Sequence, residues 1–438
     1  MERCITRAEF CQVMKALAET LADDLWRTVV EDRCVEQADA WMRTRGGAFL
    51  RSALGVALTA RAEHVGVRGS CACGGAVAFR ERRPVRVHTV LPGRDVEATV
   101  LYGQCGACQR GTWPVLHEWG VDAEGFTPAL HALATLASVV EPYEAASTEL
   151  LGRMAGVSVS TEKMQALVRD EGARATAQLT AAPADPEPAP PVSAGPLTVG
   201  IDGGMIFVDG RWQEVKLGCV YDLADRVVTA TGRGMLTRRS VVAVRGTPEA
   251  LAAVVWPQAA ALGAADRRVI VLGDGAPWIW HLAAELFPNR VEILDWYHAD
   301  EHISAVARGL YGEGTEKAAA WRTTQLDRLA TDRIDDVIDG LRFLAPRQRS
   351  TTKRRLVDDL ARYLTTNRER MRYHTFRAAG YAIGSGAVES AVSHVVQQRM
   401  KRVGMRWRAA GADAMLALRS IYRTTGAWDR FWSTRQAA

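Results

Sequence analysis

The chain has 438 residues, of which 48% are hydrophobic, enough to build sizeable cores in about three domains. Its apolar runs are shorter than the roughly 18 residues that span a membrane, and its first residues do not resemble a secretory signal. These features exclude an integral membrane protein and predict a cytoplasmic one. The eight cysteines are therefore expected to be thiols or metal ligands rather than disulfides.

The first predicted elements are helices without recognisable chemistry. Residues 1–65 place apolar side chains at helical spacing, first in FCQVMKALAETLADDLW and again in WMRTRGGAFLRSALGVAL. We expect these helices to pack together or to mediate self-association.

Residues 66–120 contain two close pairs of cysteines on either side of a stretch rich in valine and arginine that is typical of strands. Four thiolates in two such pairs, each beside a glycine, suit a tetrahedral zinc ion in a ribbon too small to build its own core. The alternative is four unligated buried cysteines. The predicted zinc ligands are Cys71, Cys73, Cys105 and Cys108.

Residues 126–175 follow a pattern of helix, break and helix. The helix before the break has buried positions that include Ala146 and Leu150, and Gly156 follows it as a helix end requires. This spacing is typical of a helix-turn-helix module, whose second helix, at residues 161–170, would enter the major groove of DNA. An ordinary helical hairpin fits the pattern nearly as well.

Residues 181–196 hold six prolines, which exclude a helix or a central strand. We interpret this segment as a linker. It would separate the amino-terminal modules from a domain that begins at Leu197.

The sequence beyond the linker alternates extended runs with helical ones. An antiparallel beginning followed by strand–helix units predicts a mixed sheet. The predicted strands lie at 197–202, 212–221, 226–231 and 241–245, at the run leading to Asp274, and at 291–294, with helices at 248–262 and 277–287.

Three carboxylates stand out in this domain. Asp202 and Asp274 each follow a short apolar run and precede a glycine, which places each at the carboxyl end of a strand, where open α/β sheets bind ligands. Glu389 lies beside a stripe of valines at helical spacing. The three could share one Mg²⁺ pocket, because Mg²⁺ prefers hard oxygen ligands. Alternatively, the two aspartates are turn residues of the Asp-Gly type.

Basic residues cluster on both sides of Glu389. Residues 342–377 include eleven lysines and arginines against three acids, and residues 399–423 include seven against one. Either run alone is typical of a solvated face. Two such runs around a predicted metal site indicate a polyanion such as DNA.

Four strings, GIDGG, GDGAPWIWHLAAELFP, ILDWYHADEH and IGSGAVESAVSHVVQQRMKRVGMRWR, resemble the ISKra-type family of bacterial insertion-sequence transposases. The resemblance covers most of residues 60–425. It implies that Asp202, Asp274 and Glu389 form the metal-binding DDE triad of an RNase H-like domain, holding two Mg²⁺ or Mn²⁺ ions.

The fold class that this implies is a multidomain α/β chain. An RNase H-like mixed sheet with a helical insertion would be preceded by helical, zinc-ribbon and helix-turn-helix modules. The catalytic domain would comprise residues 197–299 and 380–425. The insertion would comprise residues 300–379, which are predicted to be largely helical.

Asp295 and His298 form a DxxH string between the second aspartate and the glutamate. By resemblance, either residue could shape the active site or contact the flanking DNA strand. The alternative is a structural hydrogen bond at the end of a strand, which is the more common role of a single histidine.

The function implied by the resemblance is DNA transposition. The protein would bind the terminal inverted repeats of its element, hydrolyse a phosphodiester there, and join the freed 3′-hydroxyl to target DNA, as a homodimer or larger assembly. One alternative is a nuclease of the same fold that does not join strands. The other is a domesticated DNA-binding regulator whose catalytic core is only a scaffold.

Overall fold

In the computed structural model the protein is described over residues 5–31, 39–64, 71, 73–93, 95–181, 195–230 and 234–436. The chain divides into two compact units, Met1–Val168 with Trp432–Ala438, and Arg169–Phe431. Most of the predicted linker, residues 182–194, lies outside the described residues. None of the helices in these ranges is both long and apolar enough to cross a membrane.

The first unit begins with helices and a β-hairpin. Helix α1 spans Arg7–Trp26 and helix α2 spans Gly47–His64, with wider helical turns at Arg27–Glu31 and Met42–Gly46. Strands β1 (Val77–Val87) and β2 (Val96–Cys105) pair antiparallel, strand β3 (Gly111–Thr112) pairs with β2, and helix α3 covers Pro114–Glu118.

Helix α2 and the hairpin share one hydrophobic core. Gly55 lies so close to the backbone oxygen of Glu97 that any side chain there would collide with β2. A hairpin alone is marginally stable, so the helix supplies the cover that its apolar face needs. The core residues are Ala62, Val87, Val96, Ala98, Val100, Val115, Leu116 and Val121, with Leu54 and Leu58 packed against them.

A second core lies among helix α4 (Pro128–Val140), helix α5 (Tyr143–Ala145) with its continuation in wider turns at Ala146–Ala155, and helix α6 (Thr161–Thr180). Gly156 ends the middle segment in the left-handed region at φ 69°. Leu151 is buried in this core, whereas Leu150 is only partly buried, contrary to the prediction. The wider turns explain the difference, because they rotate the buried face past the position that 3.6-residue spacing gives.

The second unit is built on a five-stranded mixed sheet, as predicted. Strands β4, β5 and β8 pair antiparallel in series, and β9 and β10 add in parallel on the other side of β4, giving the order β10-β9-β4-β5-β8. The strands of this unit are β4 (Leu197–Val208), β5 (Arg211–Asp222), β6 (Arg226–Val228), β7 (Gly234–Leu236), β8 (Ser240–Arg245), β9 (Val269–Gly273) and β10 (Arg290–Leu294).

The run 226–231, predicted as a strand of this sheet, supplies only β6 of a separate two-stranded hairpin with β7. The cause is a turn directly after β5. The Asp222 side chain accepts a hydrogen bond from the N–H of Ala224, and the 3₁₀ turn at Leu223–Asp225 directs the chain out of the sheet.

Strand β4 continues six residues beyond Asp202, although the prediction ended it there. The extension pairs with β5 from Asp202 opposite Leu217 to Val208 opposite Arg211. Asp209 and Gly210, both at positive φ, form the tight turn that joins the two strands. Asp202 therefore lies within a hairpin strand, at the point where the pairing of β4 with β9 has ended.

Helices cover both faces of the sheet and form the predicted helical segment at 300–379. The helices are α7 (Pro248–Ala260), α8 (Pro277–Leu286), α9 (Trp296–Tyr311), α10 (Glu316–Ala330), α11 (Ile334–Leu344), α12 (Thr351–Thr366), α13 (Tyr373–Ala378), α14 (Gly386–Val392), α15 (Gln398–Met400), α16 (Ala409–Arg423) and α17 (Ala427–Gln436). Wider turns at Ser393–Gln397 join α14 to α15, and 3₁₀ turns lie at Ala345–Arg347 and Arg368–Met371.

Two glycines show how closely these helices approach the sheet. A Cβ atom at Gly218 of β5 would lie 2.5 Å from Val255 of α7, and one at Gly200 of β4 would lie 3.0 Å from Val388 of α14. Gly218 is paired with Ile201, so it faces away from Gly200 across the sheet. Helices α7 and α14 therefore pack on opposite faces.

Candidate functional site

The parallel strands β4 and β9 bring Asp202 and Asp274 to the same end of the region in which the two strands pair. The last pair in their register is Gly200 with Leu272. Asp202 and Asp274 each follow two residues later, so they leave the paired region side by side. The carboxyl ends of parallel strands are where polar groups from separate segments meet.

The helix that carries Glu389 lies directly over Asp202. Gly200, Asp202 and Gly204 share one face of β4, since side chains alternate along a strand. A Cβ at Gly200 would lie 3.0 Å from that of Val388, and one at Gly204 would lie 3.5 Å from a valine later in the same helical segment. The two glycines thus form the surface on which α14 rests, and Glu389 follows Val388 on that helix.

The electrostatics of Asp202 show that these groups are near one another. Burial raises the pKa of Asp202 to about 6, and the negative charges of Asp274 and Glu389 raise it further. The N–H of Gly203, which donates to Oδ1 at 2.6 Å, and the ring of His298 act in the opposite direction. Asp202 and Asp274 are partly buried, whereas Glu389 is exposed.

Asp274 is held by a turn and by the helical insertion. Its Oδ1 accepts a hydrogen bond from the N–H of Ala276 at 2.8 Å, and Gly275 adopts a φ of 99°. The hydroxyl of Tyr363, on α12, donates to the backbone oxygen of Asp274 at 3.0 Å. The turn role that the Asp-Gly pattern offered as an alternative is thus present, and it leaves Oδ2 available for a ligand.

Asp295 joins the end of β10 to the start of the Glu389 helix. It is 2% exposed, and its Oδ1 accepts from the N–H groups of Tyr297 at 3.1 Å and Ser385 at 3.2 Å. The hydroxyl of Ser385 lies within hydrogen-bonding distance of both Asp295 and Glu389. The burial of Asp295 raises its pKa. These contacts match the structural role considered for Asp295, and they orient Glu389 through Ser385.

His298 lies on α9 beside the carboxylates. Its Nδ1 is 3.8 Å from an exposed carboxylate oxygen of Glu301, and its ring makes an edge contact with His302 at 6.0 Å. His302 in turn stacks on Tyr363, with ring centroids 4.1 Å apart, and burial lowers its pKa. A chain of rings therefore connects His298 to the tyrosine that holds Asp274.

Tyr363 and Ser385 were not predicted as site residues. Tyr363 lies 89 residues from its partner Asp274, and nothing in its local sequence distinguishes it from a core aromatic. Ser385 carried a weak signal, because a serine directly before GAVE is typical of the first residue of a helix.

The negative charge of the three carboxylates is not balanced by protein cations. Within the described ranges, no lysine or arginine forms an ion pair with Asp202, Asp274 or Glu389. Nor do the three carboxylates lie close enough to one another to form a preformed metal site. Among the described residues, only the four-cysteine cluster brings its possible ligand atoms within 4.8 Å of one another.

The four predicted cysteines form that cluster at the open end of the β1–β2 hairpin and could bind a metal such as zinc. The sulfur of Cys71 is 3.6 Å from that of Cys108, and the sulfur of Cys73 is 3.5 Å from that of Cys105. The backbone N–H of Cys108 is the main cause that lowers the pKa of Cys105 to about 6, which favours the thiolate that metals require. A side chain at Gly75 would collide with the Cys105 sulfur.

The basic residues in the two runs around Glu389 are less available to bind DNA than the sequence suggested. Arg399 and Arg419 are each 1% exposed, and Arg419 donates to the backbone oxygens of Val395 and His394. Arg419 thus holds the end of the Glu389 helical segment, and Arg399, which lies on that segment, donates to the sulfur of Met405. In the first run, ion pairs engage Arg342, Arg355, Arg362, Arg368, Arg370 and Arg372.

The predicted recognition helix is longer than expected and carries mixed charge. Helix α6 continues to Thr180, ten residues past the predicted end. Its Lys163 pairs with Asp122 at 2.6 Å and with Glu124 at 3.3 Å. Its exposed side chains at the start are Glu162, Gln165, Arg169 and Asp170.

Residues 262–436 match the model of an uncharacterised protein family, UPF0236. The matched segment contains Asp274, Asp295 and Glu389, whereas Asp202 precedes it. No curated protein matches the chain.

We predict that the purified protein binds about one zinc ion per chain. Cys105→Ser should abolish this binding and lower the melting temperature, because metal binding contributes to folding of so small a hairpin. Cys11, an exposed cysteine on α1, provides the matched control Cys11→Ser. Equal zinc content in both variants and the wild type, measured by atomic absorption, would contradict the assignment.

We also predict that the Asp202 carboxylate destabilises the metal-free protein at neutral pH. Because its folded pKa of about 6 exceeds the ordinary 3.8, the cost is absent below pH 3.8 and fully present above about pH 6. A shift of two units corresponds to about 3 kcal/mol.

Asp202→Asn should therefore raise the free energy of unfolding in chelator near pH ~7.5, but not near pH ~4. Urea denaturation at both pH values measures the difference, and Glu301→Gln, at an exposed carboxylate, is the control. A variant less stable than the wild type at neutral pH would contradict the prediction.

Proposed function

We propose that the protein is a DDE transposase that hydrolyses a phosphodiester at the ends of its element and joins the freed 3′-hydroxyl to target DNA. One observation carries this proposal. Asp202, Asp274 and Glu389 come from a hairpin strand, a parallel strand end and a distant helix, and the charges of Asp274 and Glu389 raise the pKa of Asp202.

The sheet supports an RNase H-like assignment for residues 197–299 and 380–425. Three strands in an antiparallel series, followed by two strand–helix units that add in parallel beside the first strand, give the order β10-β9-β4-β5-β8. Helices pack on both faces, and a helical insertion precedes the glutamate. Strand β4 is central in the sheet, so Asp202 on β4 lies next to Asp274, which follows β9.

The donor set fits divalent metal ions of the Mg²⁺ type. Carboxylate oxygens are the ligands that Mg²⁺ and Mn²⁺ prefer, and no lysine or arginine of the described chain pairs with the three acids. Asp202 and Asp274 would hold the ions through the oxygens that do not accept backbone hydrogen bonds, and Glu389 would complete the set. When bound, two such ions activate an attacking oxygen and stabilise the leaving one.

The proposed reaction has two steps, in which the chain's own residues position the reacting groups. In the first step, the oxygen of a water bonds to phosphorus, the P–O3′ bond breaks, and the 3′-oxygen leaves with a proton. In the second, that 3′-oxygen bonds to a phosphorus of target DNA and displaces its 3′-oxygen. No protein nucleophile is required, which agrees with a site made of carboxylates and hydrogen bonds to the backbone.

DNA recognition would fall to other parts of the chain. We assign the element ends to the helical module around α6 and to the cysteine hairpin, and target DNA to the arginines that remain exposed near Glu389. Synapsis of two ends requires at least two copies of the protein. The mixed charge of the α6 face favours contacts to base edges over contacts to phosphates.

The test is a strand-transfer assay with precut element ends and labelled target DNA in Mg²⁺ or Mn²⁺. Asp202→Asn, Asp274→Asn and Glu389→Gln should each lower joining by a factor of about 10³ or more. Glu301→Gln, one turn from His298, should retain wild-type activity.

Two outcomes would contradict the proposal. Hydrolysis by the wild type without joining would leave a nuclease of the same fold. Undiminished joining by the three variants would place the active site elsewhere.

A further inference from the structure

A groove of about 860 Å³ opens beside the helix that carries Glu389. Its walls come from the chain between β5 and β8, from the end of α16, and from the loop that leads into α14. We name it the arginine–tyrosine groove after the side chains that characterise it, Arg226, Arg239, Arg423, Tyr297, Tyr381 and Tyr422.

The groove holds positive charge without a balancing acid. None of the described residues that line it is an aspartate or a glutamate, and none of its three arginines pairs with a carboxylate in the described chain. The Nε of Arg423 is buried without a hydrogen-bond partner. Burial lowers the pKa of Arg423, Tyr422 acts in the opposite direction, and the nearby charge of Arg239 lowers it further. An anionic ligand would relieve this repulsion and satisfy the unpaired donor.

The tyrosines and glycines of the groove suit a flat, unpaired ring. Tyr297 is 58% exposed, and Gly384 lies against the edge of its ring. A Cβ at Gly386 would meet no atom within 4 Å, so the floor of the groove there is open. Aromatic faces stack on any nucleobase, whereas a duplex keeps its bases stacked on one another.

The groove and the carboxylate site share helix α14, although none of the three carboxylates lines the groove. Gly386, Ala387 and Ser390 line the groove and lie on the same helix as Glu389. Tyr297 follows Asp295 by two residues at the start of α9. A strand whose phosphodiester reaches the carboxylates can therefore enter the groove within a few nucleotides.

We propose that the arginine–tyrosine groove binds single-stranded DNA, namely unpaired nucleotides of the strand that continues from the scissile phosphate. Its arginines hold phosphates and its tyrosines stack on bases. This inference rests on the proposed transposase function for the identity of the strand, whereas the groove's preference for single-stranded DNA can be measured independently.

The binding test uses fluorescence anisotropy with a labelled oligothymidylate of about ten nucleotides and a hairpin duplex, both in chelator. The double variant Arg239→Gln with Arg423→Gln should bind the oligothymidylate at least about ten-fold more weakly. The salt dependence of log K should become shallower by about 1.4, since each lost phosphate contact on a single strand contributes about 0.7. Duplex affinity should change little.

Two further variants separate charge, space and folding. Gly386→Leu fills the open floor without removing charge and should weaken oligothymidylate binding by a similar factor. Arg333→Gln removes an exposed arginine outside the groove and should bind as the wild type does. Melting temperatures within a few degrees of that of the wild type would show that all variants are folded. In a separate experiment, photocrosslinking of 5-iodouracil oligonucleotides should label Tyr297, Tyr381 or Tyr422.

The outcomes distinguish this inference from the proposed function. Groove variants that bind the oligothymidylate as tightly as the wild type, or that lose duplex binding equally, overturn the inference even if strand transfer is observed. A wild type that neither cleaves nor joins DNA but loses oligothymidylate binding on these substitutions overturns the function and retains the groove.

Discussion

The close approach of helix α14 to strand β4 is the contact on which the candidate site depends. Gly200 and Gly204 have no side chains on either side of Asp202, and Val388 packs against the first glycine and Val396 against the second. A larger residue at Gly200 would push the helix outward, because its Cβ would already lie 3.0 Å from that of Val388. Glu389 reaches the two aspartates only because this helix can lie against the strand.

The rest of the second unit stabilises an arrangement that repulsion opposes. Burial of Asp202, together with the charges of Asp274 and Glu389, costs folding free energy at neutral pH, as the raised pKa of Asp202 indicates. The helical insertion contributes Tyr363, which fixes the turn at Asp274, and Asp295 connects the end of β10 to Ser385 and Glu389. The insertion is thus part of the site's support, and the buried Arg419 of the second basic run holds the helical segment of Glu389 in place.

Sequence patterns predicted what depends on local spacing. The strands before Asp202 and Asp274, the four-cysteine cluster and the mixed sheet follow from apolar runs, paired cysteines and strand order. They did not predict the continuation of β4, because GGMIFV after Asp202 resembles a turn until its pairing with β5 is known. Burial of Arg399 and Arg419 was also not predicted, since residue type does not reveal that Arg419 donates to backbone oxygens and Arg399 to the sulfur of Met405. Tyr363 is brought to Asp274 by tertiary packing alone.

The proposed function requires Asp202, Asp274 and Glu389 to bind metal ions together. Mn²⁺ binding, followed by electron paramagnetic resonance at equilibrium, tests this requirement without DNA or turnover. We expect the wild type to bind up to about two Mn²⁺ ions at this site, and Asp202→Asn and Glu389→Gln each to weaken binding by at least about ten-fold, whereas Glu301→Gln should not. Equal Mn²⁺ affinity and stoichiometry in all four proteins would contradict it.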